Sequence, residues 1–177
     1  MTIPTLDDTL NDVWQRLGRG VADRKAPARH PVLATVGKTG GEARMVVLRG
    51  ADRATGCLEV HTDAASSKVT ELRANPNATL LVWDQKARLQ IRLRVKVSIS
   101  EGDTDTWARV PDTARGVYGG TPPPGAPINA PSDHRPNPIP ARFAVLTCRI
   151  VEIETLTLDT PHRRARNCAG SAQWIAP

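Results

Sequence analysis

The clearest pattern in the chain is the alternation in "RLQIRLRVKVSIS" (88–100), where Leu89, Ile91, Leu93, Val95, Val97 and Ile99 take every second position. Arg88, Gln90, Arg92, Arg94, Lys96 and Ser98 fill the positions between. A period of two puts the first set on one face of a strand and the second on the other. The basic row reads as a solvated face or as cross-strand ion pairs for Arg94 and Lys96. Gln90, neutral and able both to donate and to accept, stands apart at the strand's entry.

Other runs follow the same reasoning. "PVLATVG" (31–37) and "EARMVVLRG" (42–50), joined by the turn-like "KTGG", predict a hairpin. "GCLEVHT" (56–62), "ATLLVWD" (78–84) and "ARFAVLTCRIVEIETLTL" (141–158) predict three more strands, which with 88–100 makes six. Their connections are short and show no βα alternation, so an antiparallel barrel or sandwich is expected: a mainly β fold with flanking helices.

A helical period places Leu6, Leu10, Val13, Trp14 and Leu17 on one face of an N-terminal helix within residues 1–20. Thr5 is its expected N-cap, and Gly18 and Gly20 suit its end. "SSKVTELRANP" (66–76) predicts a second helix. "DTDTWARVPDTARGVYGG" (103–120) predicts helix on both sides of a break at Pro111. "TPPPGAPINAPSDHRPNPIP" (121–140) predicts a loop, either a linker or a functional arm.

Composition narrows the function. A chain of 177 residues suits a single domain spanning 1–177, and 3% aromatics call for an aliphatic core. The formal charge of +6 favours anionic partners. A nucleic-acid platform interleaves exposed aromatics with its cations, and this chain has one Phe and one Tyr, so nucleic acid is not expected. Cys57, Cys148 and Cys168 are far apart and lack zinc-ligand spacing, so reduced thiols, no metal site and a cytoplasmic location are expected. "MTIPTLDDTL" lacks the features of a signal peptide, and no apolar run is long enough to span a bilayer, so no membrane partner is expected. There is no paired-carboxylate, Ser/His/Asp or Cys/His arrangement, no GxGxxG and no Walker-type loop.

The chemistry concentrates between Arg44 and Gln90. "RMVVLRG" closes an apolar strand with Arg44 and Arg49, two permanent cations that a buried strand does not need. "HTDAASSK" then brings His61 and Thr62 to the mouth of a helix that opens with Ser66, Ser67 and Lys68. A helix mouth with hydroxyls, a lysine and free backbone N–H groups is an anion site, and an arginine would complete a phosphate clamp.

In order and spacing, "RMVVLRG", "HTDAASSK", "ELRANPNATLLVW" and "LQIR" resemble the pyridoxamine 5′-phosphate oxidase family and its relatives with the FMN-binding split barrel. The resemblance covers roughly 28–100 and returns at "RRARN" and "WIAP". It implies a six-stranded antiparallel Greek-key split barrel and a homodimer with FMN at its interface. Arg44 would hold the FMN phosphate. Met45, Val46, Val47 and Leu48 would run along the flavin, and Arg49, in place of the family's lysine, would reach flavin and substrate. His61 and Thr62 would meet the flavin and its ribityl or phosphate end, and Ser67 and Lys68 the phosphate. Gln90 would bond the ring from the other side of the site, and Arg166 would approach the flavin from the partner chain.

The substrate half departs from the family. Its C-terminal Arg-x-His reads His162-Arg163-Arg164, which leaves Arg164 as the candidate substrate contact beside Arg49, and the expected tryptophan is Leu156. The expectation is therefore an FMN-dependent oxidoreductase working by hydride transfer through flavin N5, with its substrate unassigned. The alternative is a non-catalytic FMN- or heme-binding split-barrel carrier or sensor.

Overall fold

A computed structural model describes residues 4–177. It opens with helix α1 (Leu6–Ala22), whose entry is fixed by a capping box. Asp8 N–H donates to Thr5 Oγ1 (3.1 Å) and Thr5 N–H to Asp8 Oδ2 (2.9 Å). The helix does not stop at Gly18 or Gly20 as expected but runs on to Ala22. Gly20 serves packing instead, since a Cβ there would lie 2.7 Å from the Ala28 carbonyl carbon. A glycine lets the turn at Pro27–Arg29 press onto the helix.

The strands are β1 (Val32–Val36), β2 (Gly41–Met45), β3 (Leu48–Asp52), β4 (Cys57–Asp63), β5 (Asn77–Asp84), β6 (Leu89–Glu101), β7 (Phe143–Thr157), β8 (Arg163–Cys168) and β9 (Ser171–Ile175). They form one nine-stranded sheet in the order β2-β1-β5-β6-β7-β4-β3, with β8 added on β7 and β9 on β8. Every pairing is antiparallel.

The expected count of six is thus corrected to nine, and the hydrogen-bonded path does not close. The expected strand 42–50 is two strands, because Val46 and Val47 leave the ladder between β2 and β3. The basic "RRARNC" and short "SAQWI" carry no apolar alternation, yet they pair as β8 and β9 on the second half of β7. The two ends of the path, β2 and β3, follow one another in the chain.

Helix α2 (Ser67–Ala74) links β4 to β5, and α3 (Thr104–Arg109) and α4 (Asp112–Arg115) follow β6, broken at Pro111 as expected. Residues 121–140 hold only an isolated bridge, Thr121 to Arg135, and 3-10 turns at Pro131–Asp133 and Pro140–Arg142. The segment is tied down where it begins and ends. Ile139 N–H donates to Tyr118 O (2.9 Å), and Gly119 N–H donates to Asp63 Oδ2 (2.8 Å).

The inward face of β6, Leu89 to Val97, is buried as the alternation predicts and packs with Leu33, Leu48, Val60, Leu80 and Leu146. Val13 and Leu17 of α1 complete this aliphatic core. Each fully buried Leu or Val contributes about 1.5–3 kcal/mol. A second cluster, Val110, Tyr118, Phe143 and Val145, seats the segment from α3 to Tyr118 beside the ends of β4 and β7. On the outward face, Arg92 pairs with Glu154 (2.5 Å) and Arg94 with Glu152 (3.6 Å), while Lys96 is exposed. This bears out the reading of the basic row as ion pairs and solvated charge. No helix of the described residues is long and apolar enough to cross a membrane.

Candidate functional site

The "RMVVLRG" segment owes its shape to two interruptions. Val46 and Val47 step out of the sheet, with Val46 N–H bonded to Pro31 O (3.0 Å). Then the register of β3 against β4 slips: Leu48 pairs with Val60 and Gly50 with Glu59, so Arg49 is the extra residue of a β-bulge. A bulge re-aims its side chain. Here it turns Arg49 into a cleft of about 450 Å³.

That cleft gathers Met45, Val46, Val47, Arg49, His61, Thr62 and Lys68 from the expected set, together with Asp63, Ser66, Ala114, Val117, Tyr118 and Pro124. One end is polar. Lys68 Nζ donates to Thr62 Oγ1 (3.1 Å), and Thr62 Oγ1 lies 3.2 Å from Ser66 Oγ. No side chain caps α2; Val69 N–H donates back to Ser66 O (3.0 Å), which leaves the N–H groups of Ser67 and Lys68 open to a ligand. Burial, aided by the charge of Arg44, pulls the Lys68 ammonium below its ordinary value, and Glu71 and Asp63 only partly oppose it. A cation held against burial at a helix N-terminus, where the dipole also disfavours it, is relieved by an anion.

Arg49 occupies the other end. Its Nε is buried without a hydrogen-bond partner, and no ion pair forms to it among the described residues. His61 contacts the edge of Phe143 (4.9 Å between centroids), and its Nε2 lies 2.6 Å from Glu59 Oε1. Burial lowers the His61 imidazole below its ordinary value despite Glu59, which leaves it neutral at pH 7. Burial raises the Tyr118 phenol, and the Arg49 charge opposes that rise.

Asp63 adds no free negative charge. It accepts from Arg142 Nε (2.8 Å), Gly119 N–H (2.8 Å) and Ala65 N–H (2.8 Å), and so clamps the end of β4 to the turn after Tyr118.

The remaining expected residues lie elsewhere. Arg44 is on β2 with its guanidinium on Thr35 Oγ1 and on Glu71 Oε2 (2.8 Å), behind the cleft wall. Leu48 is fully buried in the core. Ser67 is exposed, and it is the buried Ser66 that lines the cleft. Gln90 sits on the outward face of β6 between Trp83 and Leu156. Arg166 lies beside Glu154 on β8, and Arg164 donates to Glu154 Oε1 (2.9 and 3.1 Å). Within one chain these three are not brought to the cleft.

The residues that the resemblance assigned to the site left out Ser66, which the sequence placed only at the helix mouth, Asp63, and Tyr118, which with Trp107 and Arg115 the sequence offered only as some other pocket. The serine pair "SS" at the helix mouth and the lone tyrosine of the chain were the available signals. Nothing local marked the Asp63–Arg142 clamp, which joins residues 79 positions apart.

Comparison with known proteins places this geometry. The family described as "Pyridoxamine 5'-phosphate oxidase, FMN-binding domain" matches residues 11–101. A pyridoxine/pyridoxamine 5′-phosphate oxidase of Rhodopseudomonas palustris is 35% identical over 127 residues, covering 70% of this chain and 54% of that protein. The chain spans about half the length of the curated relatives it matches. Among solved structures, a pyridoxamine 5′-phosphate oxidase-related, FMN-binding protein of Nostoc punctiforme superposes with a TM-score of 0.78 at 25% identity, covering 100% of both chains. PhzG of Burkholderia lata shares the fold at a TM-score of 0.74 and 18% identity, over 100% of this chain and 98% of that one. A helix mouth and a bulged arginine facing one cleft, inside the matched segment, agree with these similarities: the chain belongs to the pyridoxamine 5′-phosphate oxidase FMN-binding domain family.

Proposed function

We propose that the chain is an FMN-dependent oxidoreductase with its flavin in the cleft between β3, β4 and the mouth of α2. The observation that carries this reading is the pair of cleft cations, Lys68 and Arg49, with no carboxylate partner. The donor set suits the cofactor. Lys68, Thr62, Ser66 and the open N–H groups of Ser67 and Lys68 match a phosphate, and the segment Met45 to Val47, where the chain steps between β2 and β3, lines the cleft beside a flat ring system. Arg44 stands behind Lys68 as added positive charge, partly offset by Glu71.

When bound, FMN supplies hydride transfer through N5 of its ring. The protein supplies position and field. Lys68 fixes the phosphate end, Arg49 sets a positive charge beside the ring, and neutral His61 with Phe143 walls the ring side against water.

The same reading includes a homodimer that completes the site. Met45 (69% exposed), Trp83 (45%) and Val36 (54%) leave apolar surface on the outward face of the sheet. Gln90 and Arg166 lie on that face, so a second copy docked there would present its own Gln90 and Arg166 to the cleft. The family resemblance adds that this sheet, in which the path ends β2 and β3 are consecutive in the chain, would be a split barrel.

The test is reduction of the FMN-loaded protein. Under anaerobic conditions, a panel of amine, alcohol and nicotinamide donors, pyridoxine 5′-phosphate included, is mixed with it while flavin absorbance is followed. Bleaching by at least one donor at a catalytically useful rate is expected, and FMN that stays oxidised with every donor would favour a carrier. Light scattering is expected to give twice the mass of 19.1 kDa.

A further inference from the structure

The cleft holds more than the cofactor's share of polar groups. With Lys68, Thr62 and Ser66 assigned to a phosphate, Arg49 and the hydroxyl end of Tyr118 remain at the opposite end, beside the apolar Val47, Ala114 and Val117. Arg49 is half-buried, its Nε has no hydrogen-bond partner, and it forms no ion pair among the described residues, while its guanidinium acts on the Tyr118 phenol. A half-buried guanidinium without an acid partner is well placed to take a planar anion through its fork of donors.

The size of that anion's charge follows from what the neighbouring cations do. Arg29 donates to the carbonyls of Val21 (2.9 Å) and Leu48 (3.2 Å). Arg109 turns to Thr106 Oγ1 (3.0 Å). Arg115 lies over the Trp107 ring (5.1 Å) and pairs with Asp112 (2.7 Å). Arg142 is committed to Asp63. None of these four lines the cleft. His61 is neutral at pH 7 because burial outweighs Glu59. The end of the cleft facing Tyr118 therefore offers one formal positive charge and one neutral hydroxyl. That matches a carboxylate in charge and in fork geometry, and it undersupplies a dianionic phosphate ester, which draws on several cations.

We propose that the substrate is a flat, largely apolar molecule bearing a single carboxylate, gripped by Arg49 and Tyr118. Val47, Ala114, Val117 and the Tyr118 ring give the apolar body its walls, and Pro124 of the proline-rich segment borders the opening. Tyr118 is thereby a specificity residue. It is held in place on one side by its backbone carbonyl, which accepts from Ile139 N–H (2.9 Å), and on the other by the Asp63 bond to Gly119. The proposal rests on the flavin reading only in calling this ligand a substrate, because the anion site itself is made by protein groups.

Benzoate and phenyl phosphate, which present the same ring on a monoanion and on a dianion, separate the possibilities. Both are titrated calorimetrically into the wild-type protein at pH 7.5, once with saturating FMN and once without. Benzoate is expected to bind more tightly than phenyl phosphate. Arg49→Met should weaken benzoate by about 10- to 100-fold, as for loss of a charge-assisted bidentate contact. Arg49→Lys should recover only part of that loss, because a lysine keeps the charge without the fork. Tyr118→Phe, which keeps the ring, should weaken benzoate by about 5-fold. Circular dichroism verifies that each variant is folded, and Arg49→Lys and Tyr118→Phe carry the test if Arg49→Met is not. Tighter binding of phenyl phosphate, or benzoate affinity indifferent to these variants, overturns the proposal. FMN uptake without any benzoate binding overturns it while sparing the flavin reading. Arg49-dependent benzoate binding without FMN uptake upholds the carboxylate site and removes the flavin.

Discussion

The outward face of β6–β8 and the cleft beside β3 and β4 are both rich in basic residues, yet they treat their charges in opposite ways. On the face, Arg92 and Arg164 converge on Glu154, whose side chain is 6% exposed, and Arg94 meets Glu152. In the cleft, Arg49 and Lys68 form no ion pair, because Asp63 is committed to Arg142, Glu71 to Arg44 and Glu59 to His61. Paired cations hold strands in register, and unpaired cations wait for a ligand. Sequence alone shows arginines in both places, and only the partner separates a structural role from a binding one. Arg44 stands between the two classes, tied to Glu71 and still close enough to Lys68 to disturb its protonation.

The contrast is open to mutation, and Glu154→Ala on the face carries the largest expected effect. It strands two arginines beside each other, and urea denaturation should show a loss of about 2–3 kcal/mol. That is below the ~3–5 kcal/mol of a fully buried pair because Arg92 and Arg164 are each about a third exposed. Lys68→Ala in the cleft should do the reverse. FMN affinity should fall by about 10- to 100-fold in a fluorescence-quenching titration, with stability changed by less than about 0.5 kcal/mol.

Arg44→Ala should fall between these, because it leaves Glu71 without its cation. A stability loss of about 1–2 kcal/mol and a weakening of FMN binding by about 3- to 10-fold are expected, read in the same two assays.

The smallest effect is a pH dependence. The folded-state His61 lies below its ordinary 6.5, so below pH 6.5 the unfolded chain takes up this proton before the folded one does. Stability should therefore decline as pH falls from about 7 toward 5, and His61→Gln should flatten the part of that slope due to His61. An unchanged slope in the variant would assign the effect to other groups.

Much of this was readable before any coordinates, for local reasons. The alternation of β6 fixed its buried face because a period of two has one solution in a half-buried strand. Thr5 and Pro111 marked their positions by capping and by the missing N–H. The cleft was legible in outline, since Met45 to Val47, Arg49, His61, Thr62 and Lys68 do meet there.

What escaped were features decided by distant partners. The hydrophobic run 42–50 hides a break at Val46–Val47 and a bulge at Arg49, both set by how β3 registers on β4. β8 and β9 are strands because β7 offers them an edge, not because their residues favour one. The choice of Ser66 over Ser67 depends on which residue faces inward at the N-terminus of α2. Arg164, expected as a substrate contact, is drawn to Glu154 by a pairing between neighbouring strands. Gln90 and Arg166 lie on the outward face of the sheet, away from the cleft of their own chain.

The most direct test of the account is an FMN titration of the purified protein followed by flavin absorbance and fluorescence, with Lys68→Ala and Glu154→Ala alongside. The account predicts saturable, stoichiometric uptake by the wild type, a clear loss of affinity in Lys68→Ala, and retention in whatever fraction of Glu154→Ala is folded. A wild-type protein that stays colourless with added FMN, or a Lys68→Ala variant that binds it as tightly as the wild type, would contradict the claim that the unpaired cations of this cleft hold a flavin.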